Sequence, residues 1–163
     1  MAARCSPPNP VFMRRAIAEA LAHLAELAGG PFGACLVQGD EVLAVAHNTV
    51  LKDRDPTCHA EMNAIRLAAA KLQTYDLSGC EIYTTTEPCP MCFAAIHWAR
   101  FERVIYGTTI QEVARLGFNE LTIGIRQLQG LGRSPVAIYP AFLLAECRQL
   151  LTSWEKIPDR QVY

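Results

Sequence analysis

No run of apolar residues in the chain approaches the roughly eighteen that a membrane span requires, and the hydrophobic stretches are short and interrupted by charges. A soluble protein is expected. Net charge is nearly absent as well: fifteen Lys and Arg face sixteen Asp and Glu, leaving a formal charge of -1. No overall basic field therefore draws the chain onto nucleic acid or an anionic membrane. The N-terminal stretch Arg4-Cys5-Ser6-Pro7-Pro8-Asn9-Pro10 lacks the apolar core and small-residue cleavage site of an export signal, so the cytoplasm is the expected setting. Repeats, low-complexity tracts and interdomain linkers are also missing. What is present is 163 residues, 51% hydrophobic and 19% charged. That balance excludes disorder and collagen-like structure and suits a single domain over 1–163.

Cysteine is comparatively abundant, with seven: Cys5, Cys35, Cys58, Cys80, Cys89, Cys92 and Cys147. In a reducing compartment, spaced cysteines more often bind metal or do chemistry than form disulfides, and an odd number disfavours a closed disulfide framework.

Phe12, Ile17, Leu21, Leu24 and Leu27 recur at helical spacing, with Gly29 and Gly30 as the predicted stop. Residues 32–37 and 42–46 are predicted strands of a hairpin turning at Gly39. Asp55-Pro56-Thr57 precedes a predicted helix from about Cys58, with Met62, Ile65, Leu67 and Leu72 as its apolar positions in an Ala-rich stretch. Further on, the pattern predicts a strand over 81–85, a helix over 89–99, a strand over 103–107, a short helix over 112–116, a strand over 136–139 and a helix over 141–154. Residues 124–135, with Gly130, Gly132 and Pro135, read as loop. The alternation predicts an α/β sandwich around one sheet.

Two motifs carry chemistry: His59-Ala60-Glu61 at the start of the second helix and Pro88-Cys89-Pro90-Met91-Cys92 at the start of the third. One imidazole and two thiolates are three ligands for Zn²⁺, leaving the fourth tetrahedral position open, as in catalytic rather than structural sites. Cys58 would close the site, but successive helical residues diverge by about 100°, which assigns Cys58 to packing. His59 and Glu61 would diverge by about 200° on a regular helix, so they can share a site only beyond the helix end. Two helix N-termini aimed at one ion would lower the thiolate pKa values. Glu61 is then placed to take a proton from the ion's water and pass it to a substrate nitrogen.

On these motifs the chain resembles the zinc-dependent cytidine-deaminase-like superfamily. Within it, Gly30-Pro31-Phe32-Gly33-Ala34, Asp55-Pro56-Thr57-Cys58-His59-Ala60-Glu61, Thr86-Glu87-Pro88-Cys89-Pro90-Met91-Cys92, Ile96-His97-Trp98-Ala99-Arg100, Gly117-Phe118-Asn119 and Tyr163 are similar to the bacterial guanine deaminases. The resemblance implies a three-layer α/β/α sandwich with a mixed five-stranded sheet and one Zn²⁺ per subunit on His59, Cys89 and Cys92. It also implies a homodimer in which segment 141–163 is a candidate for exchange between subunits.

For the substrate, the resemblance implies a purine base, guanine going to xanthine and ammonia. It assigns catalysis to Glu61 and Glu112, Glu112 accepting from guanine N1–H and the 2-amino group, and substrate contacts to Asn48, Ala60, Phe32, Trp98 and Tyr163. From sequence alone, Phe32 and Trp98 are equally readable as core aromatics, Asn48 as a turn residue and Glu112 as a helix-capping acid. His23 and His97 read as structural or solvent-facing. Competing readings are a tRNA adenosine deaminase, a deaminase of cytosine or an aminotriazine, and a catalytically silent zinc-binding module assembled with a partner. Residues 144–163 hold Arg148, Lys156 and Arg160 against Glu146, Glu155 and Asp159, so no basic anchor for tRNA is visible there.

Overall fold

A computed structural model describes residues 6–163; Arg4 and Cys5 lie outside them. The described chain runs α1 (Pro10–His23), β1 (Gly33–Gln38), β2 (Glu41–His47), α2 (Val50–Asp53), α3 (Ala60–Leu72), β3 (Cys80–Thr86), α4 (Pro90–Trp98), β4 (Arg103–Thr108), α5 (Ile110–Ala114), α6 (Ile125–Gly132), β5 (Ala137–Tyr139) and α7 (Leu144–Glu155). The strands form one mixed sheet in the order β2-β1-β3-β4-β5, antiparallel across β2-β1-β3 and parallel across β3-β4-β5.

Alternation along the strands builds a core on each face. Ala34, Leu36, Ile82, Val104 and Tyr106 pack with α3 and α4 on one side. Cys35, Val37, Tyr83 and Ile105 pack with α1 and α7 on the other. This is the expected three-layer α/β arrangement. The hairpin turns at Gly39, whose φ of 58° suits the residue with no Cβ penalty in that region.

The helices differ from expectation in which residues they bury. On α1 the buried face is Phe12, Met13, Ala16, Ile17 and Ala20, while Leu21 is exposed. On α3 it is Ala60, Glu61, Ala64 and Ala68, with Leu67 and Leu72 turned outward. Small side chains let both helices lie close to the sheet. At Gly33 a Cβ would stand 2.0 Å from the Ala16 carbonyl oxygen. α1 also ends early: a 3₁₀ turn over Leu24–Glu26 follows, and Leu27, at φ 51°, breaks the path. Gly29 and Gly30 serve instead for close approach, since a Cβ on Gly29 would meet Asn48 Oδ1 at 2.0 Å.

The segment expected as loop, 124–135, contains α6. Its glycines sit at exposed positions with open space around them, where they weaken a helix without preventing it. The predicted helix over 112–116 starts earlier, at Ile110, because Thr109 and Glu112 form a capping box.

The close approach at Gly33 gives a direct test. Gly33→Ala should lower unfolding stability by about 2 kcal/mol through overpacking against α1, read by denaturant titration; an unchanged midpoint would mean α1 has room to move.

Candidate active site

The functional residues collect where β3 ends and β1 begins. His59 is the N-cap of α3 and Cys89 the N-cap of α4, both extended (ψ 156° and 169°), and neither side chain bonds back to its own helix. Pro90 at the first position of α4 presets the helical φ where no backbone donor is needed. Both caps therefore project forward, past the helix ends, which removes the angular conflict that a regular helix would impose.

His59 Nδ1 lies 3.6 Å from Cys89 Sγ and 3.6 Å from Cys92 Sγ. Bond lengths of about 2.3 Å to sulfur and about 2.0–2.1 Å to nitrogen at tetrahedral angles put N and S about 3.6 Å apart. Both nitrogen–sulfur edges thus already match those of a zinc tetrahedron, and all three donor atoms lie within 4.8 Å of one another. Cys58 stays out of it: its Sγ accepts from Arg66 Nη1 at 3.7 Å, on the far side of the turn.

Electrostatics within the trio are strongly coupled. The hydrogen bond from Cys92, reinforced by one with His59, pulls the Cys89 pKa down to about 4. Cys92, the donor in that bond and itself buried, is raised well above an ordinary thiol. For His59, burial acts to lower the pKa, but the Cys89 hydrogen bond and the charge of Glu61 outweigh it and leave it raised. Glu61 is buried, lining the cavity with His59 and Cys89, and burial pushes its carboxyl up to about 7.

These side chains open onto a cavity of about 340 Å³. Phe32 and Phe118 form one wall, ring edge to ring face at 5.2 Å, and Glu120 and Tyr163 stand at the side. Burial and the nearby Cys89 thiolate raise the Glu120 pKa. Tyr163 lines the cavity: its hydroxyl donates to Asn48 Oδ1 at 2.6 Å and accepts from the Gly30 amide at 3.1 Å. Its backbone oxygen takes the Asn119 amide at 3.1 Å. Asn48 is 1% exposed, and its Nδ2 has no partner among the described residues.

Residues 8–108 match the family model described as the cytidine and deoxycytidylate deaminase zinc-binding region. The chain belongs to that family. It is 42% identical over 112 residues to the guanine deaminase of Bacillus subtilis (strain 168), covering 69% of this chain and 72% of that protein. It is 49% identical over 76 residues to the tRNA-specific adenosine deaminase of Aquifex aeolicus (strain VF5), covering 47% of this chain and 50% of that one. The solved guanine deaminase from Nitrosomonas europaea superposes at a TM-score of 0.82 with 29% identity, over 93% of this chain and 86% of that one. Zinc-dependent hydrolysis of a C–N bond is the chemistry that membership of this deaminase family brings, and the His59-Cys89-Cys92 trio is the set of residues that fits the ion.

Two expected substrate residues lie elsewhere. Glu112 is outside the cavity: its Oε2 accepts from the Thr109 amide at 2.9 Å, and its Oε1 from Arg148 Nε at 2.6 Å. The capping role holds it at the start of α5. Trp98 is 77% exposed at the far end of α4; eight residue steps of a helix place it about 12 Å along the axis from the start. Ala60 is fully buried in the first turn of α3, beneath the site.

Glu120 and Glu87 are the carboxylates that sequence reasoning missed. Glu120 directly follows the Gly117-Phe118-Asn119 segment that carries the resemblance. Glu87 is 7% exposed and accepts from the first amides of two helices, Ile110 N at 3.3 Å and Ile125 N at 3.0 Å. It pins both ends of the segment bearing Phe118, Asn119 and Glu120. No spacing rule announces such a bond, because its donors are backbone groups 23 and 38 residues away.

Cys89→Ala should reduce tightly bound zinc to a trace in elemental analysis; full zinc content in that variant would remove the trio as the site. Glu87→Gln turns one acceptor into a donor facing a buried amide, so it should cost about 2 kcal/mol of stability. It should also raise hydrogen exchange over 118–120, and unchanged exchange there would deny Glu87 its positioning role.

Proposed function

We propose that the protein hydrolyses the exocyclic amine of a purine base, guanine and water giving xanthine and ammonia. The small cavity beside the trio, narrowed by Tyr163 held against Asn48, is the observation that carries this reading. The remaining space is at the small end of ligand pockets, sized for a free base. A tRNA substrate would need an open groove with several phosphate contacts. The tail offers few free cations for that: Arg148 pairs with Glu112, and Arg160 lies over the Trp154 ring at 5.3 Å.

In this reading His59, Cys89 and Cys92 would hold the ion. Bound there, Zn²⁺ supplies a Lewis acid that makes water a nucleophile near neutral pH. Glu61 takes a proton from the attacking water and delivers it to ring N3 as the new bond forms at C2. The proton left on the C2 hydroxyl then passes to the amine by way of a carboxylate, and loss of ammonia forms the C2 carbonyl and restores the planar ring. The Asn48 Nδ2, a buried donor already oriented by two bonds to its Oδ1, suits an acceptor on the purine edge. Phe32 offers an aromatic wall for the ring. Glu120 takes the role that the resemblance gave to Glu112, accepting from N1–H and the 2-amino group. The reading includes a cytoplasmic homodimer acting on a small molecule, with neither nucleic acid nor membrane as partner.

Identity to the Aquifex aeolicus enzyme favours tRNA adenosine as the second substrate to test. Ammonia release by zinc-loaded protein should be selective for guanine over guanosine, adenine, cytosine, an aminotriazine and adenosine-34 tRNA. Turnover of the tRNA instead would overturn the base-sized reading. Glu61→Gln should keep zinc yet lose about 10²–10⁴ of the rate; near-normal turnover would take Glu61 out of the proton transfer.

A further inference from the structure

Away from the cavity, α1 and the end of β2 bring together a second group of metal-ligating side chains. Glu19 and His23 are one helical turn apart on α1, the i, i+4 spacing that puts two donors on one face. His47, the last residue of β2, packs against that turn. One donor atom from each of the three lies within 4.8 Å of the other two. Glu19 Oε1 is 2.8 Å from His47 Nδ1 and 3.5 Å from His23 Nδ1. The two imidazoles stack, 3.8 Å between centroids and 12° between planes. Glu26 stands beside them, 3.8 Å from His23 Nε2.

We propose that Glu19, His23 and His47 form a second metal site, for a divalent transition ion of the zinc, nickel or copper type. The donor set decides the class of ion: two imidazoles and one carboxylate favour those ions over magnesium or calcium, which take oxygen ligands throughout. Donors about 2.0–2.2 Å from an ion stand about 3.4 Å apart at tetrahedral angles. The Glu19–His23 separation of 3.5 Å is already close to that value, and the Glu19–His47 pair opens by about half an ångström to match it. An ion lies in the plane of each ring that binds it, so the parallel stack must open. His23 Nδ1 also meets the Glu19 backbone carbonyl oxygen at 2.8 Å, a hydrogen bond that must be given up for the ion, and the ring, 29% exposed, turns to present its nitrogen.

Glu19 and His47 also line a surface groove, which gives an ion a path in. His47 Nε2 is buried and has no partner among the described residues, so the ring's one engaged nitrogen is the Nδ1 facing Glu19. A bound ion would clip α1 to the edge of the sheet one residue before Asn48, fastening the start of the segment that enters the cavity. The site shares no residue with the His59-Cys89-Cys92 trio and does not depend on the substrate assigned above.

Tag-free protein, its thiolate site first filled with zinc, would be titrated with Ni²⁺ by calorimetry while free zinc is monitored. One saturable equivalent per chain without zinc release is expected. Ni²⁺ should also raise the thermal transition of the wild type. His23→Gln should bind about tenfold or more weakly and lose that rise while keeping the deamination rate; His47→Gln should repeat the loss of binding. Absence of saturable binding, equal affinity in His23→Gln, or stoichiometric zinc release would each overturn the site. Because His23 is partly exposed at the last position of α1, the His23→Gln result stands even if His47→Gln fails to fold.

Discussion

His59 and Cys89 can meet only if two helices begin at the same place. Each residue is a cap, outside the spiral it starts, and each is free to reach forward because its side chain makes no bond to its own helix. The equal 3.6 Å separations from His59 to the two sulfurs follow from that convergence. Helix N-termini carry partial positive charge, so placing two of them around thiolates offsets the cost of keeping negative sulfur in a half-buried site. Glu61, in the first turn of α3, is buried at the same point, and its raised pKa is the consequence of burial there.

Convergence also constrains the packing beneath. For α3 and α4 to aim at one point, α3 must lie flat on the sheet, which its buried alanines permit and leucines at the same positions would not. β3, paired antiparallel to β1 and parallel to β4, delivers the chain to Cys89 at the same edge where β1 begins with Gly33. Beyond the metal residues, the cavity is completed by parts distant in sequence: Tyr163 from the chain's end, Phe118 and Glu120 from the segment between α5 and α6. Glu87 anchors that segment from beneath.

Much of this was legible in sequence where the signal was local. The His59-Ala60-Glu61 and Pro88-Cys89-Pro90-Met91-Cys92 spacings point to three ligands and one carboxylate, and strand alternation with intervening helices points to an α/β sandwich around one sheet, whose mixed, five-stranded form comes from the resemblance. What failed was where burial, not propensity, decided. Leucine spacing placed Leu21 on α1 and Leu67 and Leu72 on α3 in the core although they are exposed, while Phe12, Ile17 and Ile65 do pack inward, because close packing selected alanine at the intervening positions. Glycine content hid α6, since exposed glycines lower helix propensity without forbidding a helix that packs through Ile125 and Leu128. Glu112 and Glu120 are both acids near the end of β4 in sequence, and only the capping box that occupies Glu112 separates them. Glu87 and the Tyr163–Asn48 bond join residues too far apart for any spacing argument.

X-ray absorption at the zinc edge of the purified protein tests the convergence of the two helix caps most directly. The account predicts two sulfur scatterers at about 2.3 Å and one imidazole nitrogen at about 2.0–2.1 Å, with one further light atom completing four-coordination. A third sulfur, or a shell built from nitrogen and oxygen alone, would contradict it.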